Sequence, residues 1–128
     1  MLPKAFLQGI EEFNRREFYT CHDTLEALWM ESAEPHKQFY QGILQIAVAC
    51  YHLENCNWQG AVTLLGEGTR RIRDYQPDYE GIDVTKLFEE SWELLDNLQR
   101  VSPEAIAPFV ETLHFRESSP AFPKIVSL

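Results

Sequence analysis

Apolar residues recur at helical spacing along almost the whole chain. Phe6, Leu7, Ile10 and Phe13 share one side of a predicted opening helix, about Pro3 to Phe13, whose proline sits at a tolerated first-turn position. Phe18, Cys21, Leu25, Leu28 and Trp29 mark a second helix from about Glu17 to Glu31. Pro35 starts a third, His36 to Asn55, where Phe39, Ile43, Ile46, Ala47, Cys50 and Leu53 form one stripe that Leu44, Val48 and Tyr51 widen. A helix apolar over so much of its circumference belongs at the centre of a fold. Asn55 to Asn57 reads as a short turn, and Trp58, Ala61, Val62, Leu65, Thr69 and Ile72 then mark a fourth helix. Gly66 and Gly68 lie inside that pattern at a cost of roughly 1 kcal/mol each relative to alanine. Either another backbone comes close there or the glycines are merely tolerated.

Gln76 to Asp83, with Pro77 and Gly81, reads as a loop, and Asp83 is placed to cap a fifth helix. The core face of that helix is Val84, Leu87, Phe88, Ser91, Leu94, Leu95 and Leu98. Ser102, Pro103 and Glu104 signal a short last helix that Pro108 limits or kinks. Beyond Glu117 the period disappears, leaving a tail with Pro120 and Pro123 that lies along the body or frays. The predicted fold class is therefore all-α. It is a compact multihelical bundle of about five or six helices, with antiparallel hairpins around a central third helix. Residues 1–117 form a single helical domain and residues 118–128 a C-terminal tail.

Composition narrows the functional classes. At 128 residues the chain is one domain, large enough to bury roughly two thirds of its unfolded surface without a metal or a disulfide. Twenty acidic residues against 11 basic ones give a net charge of -9, which argues against a nucleic-acid partner because counterion release needs a basic surface. The basic residues do cluster locally, as Arg15 and Arg16 and as Arg70, Arg71 and Arg73. Solvation, or a helix C-terminus favouring positive charge in the second cluster, explains them; a small anionic ligand is the alternative at either place. Cys21, Cys50 and Cys56 have no paired ligand spacing and read as reduced cysteines in or near the core. No secretory signal pattern opens the sequence, and the longest apolar stretch, Ile43 to Tyr51, is too short to span a bilayer. The expected location is cytoplasmic, with no membrane partner.

The candidate chemistry sits on the second and third helices. His22 and Glu26 are four residues apart and so share a face beside the apolar stripe. Gln41, Gln45, Val48 and His52 occupy a narrow sector of the third helix. If these sectors face each other, His22, Glu26, Gln41 and Gln45 share hydrogen bonds, with Tyr40 or His52 at the end of the network. Asp23 points about 100 degrees away from His22, toward solvent or a local partner.

Phe13, Asn14, Phe18, His22, Asp23, Leu25, Glu26 and Trp29 carry a resemblance that continues through Phe39, Tyr40, Gln41, Gly42, Gln45, Ala47, Tyr51, His52, Asn57, Gly60 and Ala61. This pattern, over about Phe6 to Arg73, resembles the family catalogued as domain of unknown function 309. The resemblance implies a compact multihelical bundle and implies no particular activity, substrate or cofactor. Arg16 stands where many relatives are expected to carry glycine, a position that a helical backbone tolerates.

Two functional readings follow. In the first, the polar network satisfies buried groups in a structural or protein-interaction module that binds a protein partner or forms a homo-oligomer. In the second, the chain is a small-ligand or metal-binding enzyme. Either His22 is a general base beside Glu26, with glutamine amides or Tyr40 orienting a small molecule, or His22 and Glu26 instead hold zinc or iron with His52 as a further ligand. Ligand contacts are assigned to His22, Glu26, Gln41, Gln45 and His52, and no cofactor is called for. Trp29 and Trp92 are expected in the core, while Trp58 packs across the turn that starts its helix.

Overall fold

The computed structural model describes residues 2–114 and 121–128, and within them the chain folds as an all-α protein. Six α-helices run in order: α1 (Lys4–Asn14), α2 (Phe18–Glu31), α3 (His36–Glu54), α4 (Trp58–Ile72), α5 (Val84–Gln99) and α6 (Ile106–Leu113). Consecutive helices from α1 to α5 pack antiparallel. Phe13 meets Phe18 across the α1–α2 turn, Tyr19 meets Tyr51 between α2 and α3, and the Trp58 indole donates to the Leu98 carbonyl between α4 and α5. The α3 helix is the spine, with Phe39, Ile43, Ile46, Ala47, Cys50 and Leu53 all buried. Phe6, Phe13, Phe18 and Phe39 are fully enclosed around it, each worth roughly 1.5–3 kcal/mol of burial.

The loop expected between α4 and α5 has more structure than its sequence signals. A single 3-10 turn, Arg73–Tyr75, is followed by an antiparallel pair of two-residue strands, β1 (Asp78–Tyr79) and β2 (Ile82–Asp83). Strands this short show no legible alternation. Asp83 caps α5 as expected, accepting a hydrogen bond from the Lys86 amide at 3.0 Å. Pro108 neither ends nor kinks α6, because it falls in the first turn, where its missing N–H has no helical acceptor to serve. A 3-10 turn, Pro103–Ala105, leads into that helix.

Two glycines set the closest helix crossing. A Cβ on Gly68 would lie 2.7 Å from the Gly42 carbonyl oxygen, and one on Gly42 would lie 3.2 Å from the Gly68 oxygen. The α3 and α4 backbones therefore touch, which brings Gln45 and Arg71 side by side. Gly66 serves no such approach, since its Cβ would meet only Leu95, at 4.0 Å. Arg16 is not helical: it turns the chain between α1 and α2 at φ 64°, a left-handed conformation that glycine adopts freely.

Residues 121–128 lie against the body, with Phe122 and Ile125 buried. The Asn14 side chain grips Ile125 twice, donating to its carbonyl and accepting from its amide, each at 2.8 Å. Asp83 N–H donates to the Val126 carbonyl and Leu128 N–H to the Gly81 carbonyl, which adds this segment to the edge of the hairpin. Residues 118–120 of the expected tail lie outside the described residues.

Candidate functional site

The α2 and α3 faces that carry the expected network are divided by the register of the bundle. His22 is partly buried, with 29% of its side chain exposed, and its ring lies between two carboxylates. Nδ1 is 3.2 Å from Asp23 Oδ1 and Nε2 is 3.4 Å from Glu26 Oε2. Only the doubly protonated ring can donate to both at once. Asp23, expected to point away, thus reaches back to its neighbour. His22 shares a shallow hollow of about 120 Å³ with Phe18, Tyr19, Val48, Tyr51 and His52. His52, also in the hollow, has its Nδ1 3.3 Å from the Asn57 side-chain Nδ2. Among the described residues, no group of three or more His, Cys, Asp or Glu side chains is arranged to hold a metal ion.

Gln45 belongs to a different neighbourhood. On the side of α3 that faces α4, its amide nitrogen donates to Glu67 Oε1 at 3.2 Å and its oxygen accepts from Arg71 Nε at 2.9 Å. Arg71 Nη1 also donates to Gln38 Oε1 at 2.7 Å. The single network expected from His22 through Gln41 and Gln45 is therefore not formed. Gln45 turns to α4 because the Gly42–Gly68 crossing puts that helix nearer than α2, and Gln41 is half-buried one turn before it. Gln38, Glu67, Arg70, Arg71, Arg73, Asp74 and Tyr75 line a cleft of about 470 Å³ at this place.

Tyr40 faces the β-hairpin rather than either network. Its hydroxyl donates to Glu80 Oε2 at 3.5 Å, and burial together with the Glu80 charge pushes its pKa up to about 12. A phenol held protonated in this way is a poor base. His36, Tyr79 and Glu80 complete a cluster that the sequence did not single out. Tyr79 hydroxyl and His36 Nδ1 are 2.6 Å apart, with Glu80 Oε1 at 3.3 Å from the same nitrogen. His36 is more than forty positions from Tyr79 and Glu80 in sequence, so only the hairpin turn back onto α3 reveals the cluster.

A second concavity runs between α4 and α5. Val62, Thr69, Phe88, Trp92 and Leu95 line a groove of about 350 Å³, with Arg70 and Arg73 along one rim. Trp92 is 54% exposed, contrary to the core position expected for it. Its neighbours Ser91, Leu94, Leu95 and Leu98 already fill the inward sector of α5. Trp29 is partly buried against the core, with the Lys37 ammonium 4.9 Å from its ring centre. The buried Thr69 hydroxyl in this groove has no hydrogen-bond partner among the described residues.

With this geometry in view, residues 6–64 match the model of the family described as "Domain of unknown function (DUF309)". The chain is also 31% identical over 106 residues to a protein of Bacillus subtilis (strain 168) named "Uncharacterized protein YpuF". The matched stretch is 80% of this chain and 61% of that relative, so the chain spans less than two thirds of the relative's length. The segment that matches the family model holds most of α1, all of α2 and α3 and the first half of α4, and with them His22, Glu26, Tyr40, Gln41, Gln45 and His52. The arginines at 70, 71 and 73 and the groove residues Phe88 and Trp92 lie beyond it. No helix among the described residues is long and apolar enough to cross a membrane.

Proposed function

We propose that this chain is a protein-interaction module that works in the cytoplasm and docks an acidic, apolar-faced segment of another protein in the groove between α4 and α5. One observation carries the reading: Trp92 stands exposed beside Phe88 and Leu95 in a concave surface rimmed by Arg70 and Arg73. Exposed aromatics in a groove are the side chains on which interface energy concentrates, and arginine is the cation enriched beside them. Charge selects the partner. On a chain of net charge -9, two arginines on one rim favour a segment with Asp or Glu next to its apolar anchors. The alternative, an enzyme built on His22 and Glu26, draws less support. The hollow beside His22 is about 120 Å³, below the roughly 300 Å³ at which ligand pockets usually begin.

Selection from a random peptide library on the immobilised chain tests the docking surface. The reading expects enriched peptides that combine acidic residues with Leu, Phe or Trp. It also expects Trp92→Ala to weaken their binding about tenfold or more, the scale of losing one interface anchor. Enrichment of basic peptides, no enrichment, or equal binding to Trp92→Ala would count against it. Sedimentation at micromolar concentration covers the remaining case. A dimer lost in Trp92→Ala would make a second copy of the chain the occupant instead.

A further inference from the structure

The cleft at the end of α4 has chemistry that helix termination does not account for. Arginines in a last helical turn ordinarily complement the terminal carbonyls, and Arg70 and Arg71 occupy that turn. Arg71 instead turns sideways onto α3. Its Nε and Nη1 are both spoken for, at 2.9 Å and 2.7 Å, by the amide oxygens of Gln45 and Gln38. Both acceptors are neutral. The guanidinium is thus fixed in place by neutral partners, and among the described residues neither Arg70 nor Arg71 forms a direct ion pair. Arg73 has a carboxylate near it, Asp74, at 3.4 Å between two largely exposed side chains. Solvent screening makes such a contact weak.

We propose that this cleft binds a small phosphate ester, with Arg71 as the pre-oriented anchor for the phosphate and Arg70 and Arg73 closing on the same group. Three guanidiniums lining one cleft suit a dianion with several oxygens better than a single carboxylate, for which one arginine fork is enough. Glu67 sets the rest of the ligand. Its carboxylate lies in the same cleft and already accepts from Gln45, so it repels a second anion and accepts from a hydroxyl or amine. The ligand therefore carries hydrogen-bond donors close to its phosphate, where they meet Glu67 beside Arg71. A volume of about 470 Å³ accommodates a phosphorylated sugar or a molecule of similar size. Gln45 and Gln38 are positioning residues, since they act through Arg71. The site is separate from the docking groove in its anchor, although Arg70 and Arg73 border both.

Isothermal titration calorimetry at constant ionic strength tests this with inorganic phosphate, a hexose phosphate, the free hexose and glutamate. The hexose phosphate is expected to bind more tightly than inorganic phosphate, with no measurable binding of the free hexose or of glutamate. Arg71→Gln is expected to weaken the hexose phosphate at least tenfold, and Gln45→Leu to weaken it several-fold by freeing the guanidinium. Trp92→Ala should leave it unchanged, which separates failure here from failure of the docking groove. If circular dichroism shows that Arg71→Gln has not folded, Arg70→Ser, an exposed position, is expected to lower the affinity at least threefold. Absence of binding by both phosphates, glutamate binding as tightly as the ester, or full affinity in whichever of these arginine variants folds would overturn the proposal.

Discussion

At the scale of single residues, the three cysteines differ in what their surroundings allow. Cys21 donates its thiol to the Gly9 carbonyl at 3.3 Å, and burial, helped by the Glu12 charge, pushes its pKa up to about 12. Burial pushes the Cys50 thiol up as well, whereas Cys56 is exposed. A thiol reagent should therefore modify one cysteine rapidly in the native protein and all three in denaturant. Rapid modification of more than one would contradict the burial. The same shift has a pH consequence. Cys21 rises from 9.0 and Tyr40 from 10.0, both to about 12, so the unfolded chain loses these protons first as alkali is added. Their contribution to stability is complete below pH 9 and disappears as the pH approaches 12. Urea melts across that window should show a progressive fall, with a shallower start in Cys21→Ala; a flat profile would refute it. Buried cysteines were legible because they continue an apolar stripe. The surroundings of His22 were not, because helix register is a tertiary quantity and a slip of one turn replaces Gln41 and Gln45 by Val48 and His52. Trp92 was misplaced for a simpler reason: its size outweighed its angular position, one residue out of the sector of Leu94, Leu95 and Leu98.

At the scale of elements, the α3–α4 crossing determines which polar groups meet. Gly68 and Gly66 are two residues apart and look equivalent in sequence, yet substitution should act in opposite directions. Gly68→Ala forces a Cβ against the Gly42 carbonyl and the Ile46 amide, and overpacking of this kind costs about 1–3 kcal/mol. Gly66→Ala adds a methyl in ordinary contact with Leu95 and gains helix propensity, so it should stabilise by about 0.5–1 kcal/mol. Chemical denaturation of the two variants checks the pair, and equal effects would mean that the helices are not in backbone contact. The helix boundaries were largely readable from apolar periodicity, since each helix from α1 to α5 turns a coherent stripe inward. The β-hairpin was not, because two residues per strand give no alternation to detect. With it went the cluster of His36, Tyr79 and Glu80, which exists only once the hairpin is folded against α3.

At the scale of the whole molecule, residues 121–128 fasten elements that are distant in sequence. Phe122 packs at 5.4 Å on Phe18, Ile125 is held by Asn14, and Val126 and Leu128 join the hairpin. Deleting these residues should cost several kcal/mol, since the two buried side chains alone are worth roughly 1.5–3 kcal/mol each. Asn14→Ala, which leaves the Ile125 amide and carbonyl without their partner, should cost about 1–3 kcal/mol. Thermal or urea melts indistinguishable from the parent in both variants would show that the clasp contributes nothing. An aperiodic segment gives no sequence sign of such a role, because its hydrogen bonds come from a side chain more than a hundred residues upstream and from a strand edge more than forty residues upstream. For a chain emerging from the ribosome, this clasp fixes an order of events: α1 and the hairpin are synthesised early but acquire their last partners only when position 128 has cleared the exit tunnel. Until then the nascent molecule leaves apolar surface uncovered to whatever lies nearby.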